Sequence, residues 1–206
     1  MDDKSCNYII MNKILLFLCL TMVSFNKDTA RKIVFIGDSL TCYKGGWQST
    51  VAKGMDMKFD NLSKGGKRTK WMLSTLQSYL EKNEYHSTLI IYGGINDSFA
   101  MTSEIETLNN IQTMVDIGNQ YEMEVIVIVG YNPDKVNRNT TYDEATTLRC
   151  RNRYIKLQKK IQERITGCRI VPMENTIDRT DSDDGIHLKA SGHRKFAKWV
   201  LKNINE

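Results

Sequence analysis

Five short apolar runs recur along this chain, each followed by a longer amphipathic stretch, and that alternation limits the possible folds severely. The runs are Lys32–Ile36, Met57–Leu62, Thr88–Tyr92, Glu124–Val129 and Arg169–Pro172. The stretches with helical length and spacing are Trp47–Lys53, Thr69–Lys82, Ser103–Tyr121, Tyr142–Ile165 and Ala190–Asn203. Strands alternating with helices of this length call for a parallel sheet covered on both faces. Continuous apolar runs fit it, because such strands are buried on both sides. The prediction is one α/β domain with three layers, α/β/α, around a five-stranded parallel sheet. Ser103 with Glu106 has the spacing of a capping box and marks a helix start. The 206 residues suffice for one domain with a sizeable core, and no repeat or interdomain linker interrupts them.

The first run ends in Gly37-Asp38-Ser39-Leu40. A serine just past a strand sits where open α/β sheets present reactive groups. Its hydroxyl is a weak nucleophile until a base takes its proton. Three histidines are present: His86, His187 and His193. His187 closes Asp184-Gly185-Ile186-His187, whose three-residue spacing lets carboxylate and imidazole meet on one turn. Asp181 and Asp183 are the rival acids. His86 lacks an evident carboxylate partner and reads as a surface residue, and His193 reads as structural. Two glycine-rich elements lie between, Asn61-Leu62-Ser63-Lys64-Gly65-Gly66 and Gly93-Gly94-Ile95-Asn96-Asp97. Glycine lets backbone N–H groups approach a ligand closely, and an asparagine amide adds a further donor for a developing oxyanion. Asp38 and Asp97 read as turn stabilisers.

These four elements, in this order, resemble the sequence blocks of the SGNH (GDSL-type) hydrolases. The resemblance runs from about Ile33 to His193. It implies a flavodoxin-like fold with Ser39 as nucleophile, His187 as general base and Asp184 as its orienting acid. The N–H groups of Ser39 and Gly66 and the Asn96 amide would form the oxyanion hole. No metal or organic cofactor is implied. Lys67 and Arg68 follow Gly66, where small or acidic residues are frequent in the family; two cations there either favour an anionic or heavily oxygenated substrate or point to solvent. Tyr131, at the end of the fourth run, reads either as a wall of the substrate pocket or as a residue packing at a strand end. The resulting expectation is a serine esterase acting on O-acetyl groups of a carbohydrate. A short-chain lipase, lysophospholipase or thioesterase of the same fold is the alternative. A glycan-binding module that has lost turnover is the alternative of another class.

The net charge of +5 is concentrated between Arg149 and Arg164 and reads as a solvated helix face. No zinc finger, RNA-binding signature or aromatic–basic interleaving accompanies it, which argues against a nucleic-acid partner. Residues 14–25 form an apolar segment with the length of a signal-peptide core and too short to span a bilayer comfortably. Residues 1–30 are therefore expected to be a leader, with Met11 a better start than Met1, and residues 31–206 the hydrolase domain. Export, periplasmic or secreted, follows from that reading, and any membrane contact would run through this segment; a buried N-terminal segment and a cytoplasmic protein are the alternative. Five cysteines occur without Cys-x-x-Cys spacing, so zinc is not expected. Cys150 and Cys168 are expected to be isolated thiols rather than a pair.

Overall fold

Chain order and sheet order part company at one place, and that place positions the site. A computed structural model describes residues 31–83, 86–136 (Asp134 and Val136 by their backbones alone), 143–182 and 184–206. Strands β1 (Lys32–Gly37), β2 (Lys58–Asn61), β3 (Thr88–Tyr92), β4 (Glu124–Ile128) and β5 (Arg169–Val171) form one parallel sheet, ordered β2-β1-β3-β4-β5. From β1 the chain steps out to β2 and then returns to β3 on the other flank. Connections leaving the carboxyl ends of β1 and β3 therefore diverge and open a crevice between them. Lys32–Glu206 form one compact unit. The expected leader and residues 137–142 of the loop after Tyr131 lie outside the described residues.

The strands match the expected runs to within one residue at either end. Helices α1 (Trp47–Gly54), α2 (Thr69–Leu80), α4 (Glu104–Gln120), α6 (Glu144–Arg164) and α7 (Ala190–Asn205) match the amphipathic stretches to within two. Three further turns of helix carry no periodic signal: α3 (Ile95–Phe99), α5 (Pro133–Val136) and a 3-10 turn at Arg179–Asp181. Each is too short to repeat a 3.6-residue pattern.

Residues Ile33–Ile36 are completely buried, as a strand covered on both faces requires. Phe35 points to one face, where its ring meets Trp47 of α1 edge-on at 5.5 Å. Trp47 in turn meets Phe196 of α7 at 5.4 Å. Leu89 and Val125 are paired across β3 and β4 and point to the opposite face, where they contact Gly118 of α4. On α4 the buried stripe is Leu108, Ile111, Met114, Val115 and Gly118, the spacing of one helical face. The capping box expected at Ser103 is not made. Ser103 is the N-cap, yet its side chain accepts no cap hydrogen bond, and its carbonyl takes both the N–H and the hydroxyl of Thr107.

Candidate active site

Gly37 ends β1 where only a glycine fits: a Cβ there would lie 2.4 Å from the Tyr92 carbonyl oxygen. The chain then turns tightly, with the Thr41 and Cys42 N–H groups donating to the Asp38 carbonyl at 3.1 and 3.0 Å. Asp38 Oδ1 accepts from the Leu40 N–H at 3.0 Å, the turn-stabilising bond expected of it. Trp47 Nε1–H holds the Leu40 carbonyl at 2.8 Å. Ser39 is thus presented from a fastened turn at the carboxyl edge of β1. Asp38 is also fully buried, and its Oδ2 has no partner among the described residues. Burial, reinforced by the charge of Asp97, pushes its carboxyl up to about 7.

His187 reaches Ser39 from a loop 148 residues away in sequence. Its Nε2 lies 2.9 Å from Ser39 Oγ and its Nδ1 lies 2.5 Å from Asp184 Oδ2. Asp184 Oδ1 accepts the backbone N–H groups of Ile186 and His187 at 2.9 and 2.7 Å, which leaves Oδ2 to the imidazole. Burial alone would raise the Asp184 carboxyl. The hydrogen bonds from the His187 ring and the two N–H groups outweigh it and hold the carboxyl below its ordinary value. The loop is braced from behind. Ser182 Oγ donates to the His187 carbonyl at 2.7 Å, an antiparallel bridge joins Ser182 to Leu188, and the Tyr131 hydroxyl donates to the Ile186 carbonyl. Of the rival acids, Asp181 is buried and pairs with Lys195 at 2.6 Å, and Asp183 lies outside the described residues.

The loop after β2 fills the space beside Ser39. Lys64 N–H donates to the Gly37 carbonyl at 3.2 Å, and Gly65 sits with its Cβ position 3.7 Å from Ser39 Cβ. Gly66 has φ +72°, a left-handed conformation that suits glycine and leaves the space beside its Cα open. Neither the Ser39 nor the Gly66 N–H donates to an acceptor among the described residues. Asn96, on the first turn of α3, donates one amide hydrogen to the Lys67 carbonyl at 3.1 Å. A primary amide has two such hydrogens, so one is left for a ligand. The structure therefore brings Ser39, His187, Asp184, Gly66 and Asn96 to one edge of the sheet. Lys67 is half-buried, its ammonium 5.6 Å from the Trp71 ring, while Arg68 is exposed at the N-cap of α2.

Several expectations need correction. Asp97 does not stabilise its own turn: its carboxylate takes the Thr69 N–H and hydroxyl at 3.0 and 2.7 Å, tying α3 to the start of α2. Tyr131 does not line a substrate pocket. It is 2% exposed, because its hydroxyl is spent on the histidine loop and its ring packs edge-on against Phe196 at 6.0 Å. His86 is not on the surface, and it has a carboxylate partner in Asp60 at 3.6 Å. That partner is supplied by the sheet: β2 and β3 flank β1, which no local motif can reveal. His193 is buried, accepts the Trp47 N–H at Nδ1 (3.4 Å) and stacks on Tyr43. Cys42, Cys150 and Cys168 are free thiols. Among the described residues, no group of three or more His, Cys, Asp or Glu could hold a metal ion. None of the helices described is long and apolar enough to cross a membrane.

With this geometry in place, comparison with known proteins gives the class. The model of the GDSL-like Lipase/Acylhydrolase family matches residues 35–195, which span all four sequence elements. The chain belongs to that family and is a hydrolase acting on esters. Solved structures share the fold at low identity. A GDSL-like lipase from Bacteroides thetaiotaomicron is 18% identical, with 85% of this chain and 88% of that chain covered and a TM-score of 0.63. A putative platelet activating factor from Streptococcus pneumoniae is 18% identical over 98% and 99% of the two chains, with a TM-score of 0.67. A catalytic mutant of an acetylxylan esterase from Geobacillus stearothermophilus is 15% identical over 85% and 94%, with a TM-score of 0.63. No curated protein matches the sequence.

Proposed function

We propose that this protein is an exported serine esterase that removes O-acetyl groups from a carbohydrate. One observation carries the catalytic reading: Ser39 Oγ, the two ring nitrogens of His187 and Asp184 Oδ2 form a line with steps of 2.9 and 2.5 Å. Ser39 Oγ attacks the ester carbonyl while His187 Nε2 takes its proton, and Asp184 holds the imidazole in the tautomer that can accept it. The Ser39 and Gly66 N–H groups and the free amide hydrogen of Asn96 receive the oxyanion, each donor worth about 3–4 kcal/mol in the transition state. His187 returns its proton to the leaving alcohol. Water then repeats the steps on the acyl-enzyme and frees the acid. Every proton in this sequence is carried by the chain's own residues.

Two observations support a carbohydrate ester. Lys67 and Arg68 stand beside Gly66 and suit an oxygen-rich or anionic substrate, and an acetylxylan esterase shares the fold. The apolar segment at residues 14–25 supports export, to where such substrates are met. The test is hydrolysis of a panel of acetylated glycans and longer acyl esters, with p-nitrophenyl acetate as reference. The acetyl-carbohydrate reading predicts higher kcat/KM on the acetylated glycans than on esters with acyl chains of eight carbons or more. The reverse order would move the protein to the lipase and thioesterase alternative. No turnover of any ester would favour the glycan-binding alternative.

A further inference from the structure

A cavity of about 100 Å3 opens where α3, the start of α4 and α6 meet. Ser98, Thr102, Glu104, Arg153 and Lys156 line its polar side and Leu157 its apolar side. It is separate from the cleft at Ser39. Ser98 and Asn96 are two residues apart on α3, about 200° around the helix, so the cavity lies behind the face that carries Asn96. We propose that this cavity binds one small oxyanion of phosphate or sulfate size, gripped by the Arg153 guanidinium and the Thr102 hydroxyl and drawn in by Lys156.

Charge is the first argument. Glu104 is the one carboxylate in the lining, and it is already matched by Lys160 in a close ion pair and by Lys156 at 3.7 Å. The lining thus holds two cations, Arg153 and Lys156, against one carboxylate that Lys160 already pairs from outside it, so the cavity is positive. Unmet hydrogen bonding is the second argument. Arg153 Nη2 donates to the Thr102 carbonyl at 2.7 Å, yet Arg153 Nε and Thr102 Oγ1 are buried with no partner among the described residues. Buried donors rarely stay unpaired. Water in the cavity would satisfy the donors but leave the positive charge unanswered. An oxyanion answers both, since the planar guanidinium fork matches two of its oxygens and the threonine hydroxyl can give a third bond. Space fits too: a water molecule needs roughly 10–15 Å3 by the same measure, so the cavity admits a group of several heavy atoms.

Occupancy would be felt at α3. Thr102, which Arg153 holds by its carbonyl, donates its own N–H to the Asp97 carbonyl at 2.9 Å, and Ser98 Oγ donates to the Gly94 carbonyl at 3.3 Å. An anion bridging Arg153 and Thr102 therefore fixes the end of the short helix that presents Asn96. The site stands whether or not the esterase reading holds.

Thermal unfolding and calorimetric titration of the full chain with inorganic phosphate, against sodium chloride at equal ionic strength, test the proposal. Phosphate at ten times its Kd should raise Tm by about 3–6 °C over the chloride control, and sulfate should act likewise. Lys156→Gln alters a side chain that is 67% exposed and leaves the core intact, and it should raise the Kd at least several-fold. Arg153→Lys keeps the charge but loses the fork and should weaken binding further. If phosphate gives no more than the chloride control, the cavity holds only water and the proposal fails. It fails equally if phosphate binds both variants as it binds the parent protein, because the anion then sits elsewhere, for instance among the oxyanion donors.

Discussion

Two histidine–aspartate pairs lie at opposite ends of the same sheet, and only one has a serine on its far side. At the amino ends of the strands, His86 has a side chain 2% exposed and stands 3.6 Å from Asp60. Asp60 is shared with Lys32 and with the Tyr79 hydroxyl, and Tyr79 also bonds His86 Nε2 at 2.9 Å. Burial, helped by the charge of Lys32 and opposed by Asp60, lowers the His86 pKa. At the carboxyl ends, the His187 side chain is 51% exposed and Asp184 offers it an oxygen that no cation shares among the described residues. The second ring nitrogen of His187 meets Ser39 Oγ, whereas His86 Nδ1 is buried with no partner among the described residues. Proximity of an imidazole to a carboxylate is thus a poor sign of chemistry. An open face, an unshared carboxylate and a nucleophile on the opposite nitrogen make the difference.

The largest effects should come from breaking the first pair. Ser39→Ala and His187→Ala should each cut kcat for p-nitrophenyl acetate by roughly 10^5 to 10^6-fold, and the double variant should be scarcely worse than either. His86→Ala should leave kcat within a few-fold and instead cost about 1–3 kcal/mol in denaturant unfolding, by stranding polar partners in a buried place. Multiplicative losses in the Ser39/His187 double variant would dissolve the distinction between the pairs.

That distinction was partly legible in the sequence. Ser39, Asp184 and His187 stand in local motifs, and strand ends could be read from apolar runs because a strand buried on both faces admits little else. What escaped were partnerships made by the sheet and by remote segments. Asp60 meets His86 through the placing of β2 and β3 beside β1, and Asp97 finds Thr69 28 residues upstream. Helix α3 was invisible because five residues carry no period and its start rests on Gly94 at φ +107°. The Ser103–Glu106 spacing misled for the opposite reason: the motif is present in sequence and Ser103 does stand at the N-cap, but its side chain accepts no cap hydrogen bond.

A smaller effect sharpens the comparison at the oxyanion side. Asn96→Ala should lower kcat by roughly 10^2 to 10^3-fold with KM little changed, because its free amide hydrogen acts on the transition state. A rise in KM alone would make Asn96 a substrate-binding residue. Smaller still are two pH effects of opposite sign, read by denaturant unfolding. His86 has a folded pKa below its unfolded one, so its contribution is present above about pH 6.5 and is lost as pH falls. His86→Gln should flatten that acid loss in part, since burial lowers His193 in the same direction. Asp38, raised to about 7, favours folding fully below pH 3.8 and ceases to do so as pH rises through 7. Asp38→Asn should therefore gain stability relative to the parent between pH 4 and 7, by at most about 1.4 kcal/mol per pH unit. An unchanged difference across that range would place Asp38 as an ordinary ionised carboxylate. The smallest effect concerns Lys67 and Arg68. Their joint replacement by Ala should reduce, at low salt, any preference for an anionic over a neutral acetyl ester, and salt alone should do the same.

The central claim is that Ser39 is the nucleophile made reactive by His187, and covalent labelling tests it directly. The parent protein should take up one equivalent of a fluorophosphonate by intact mass, with the adduct mapped by peptide sequencing to Ser39. His187→Ala, folded by circular dichroism, should label far more slowly, and His86→Ala should label at the parental rate. Adduct at another residue, or equal labelling rates in the parent and His187→Ala, would contradict the account.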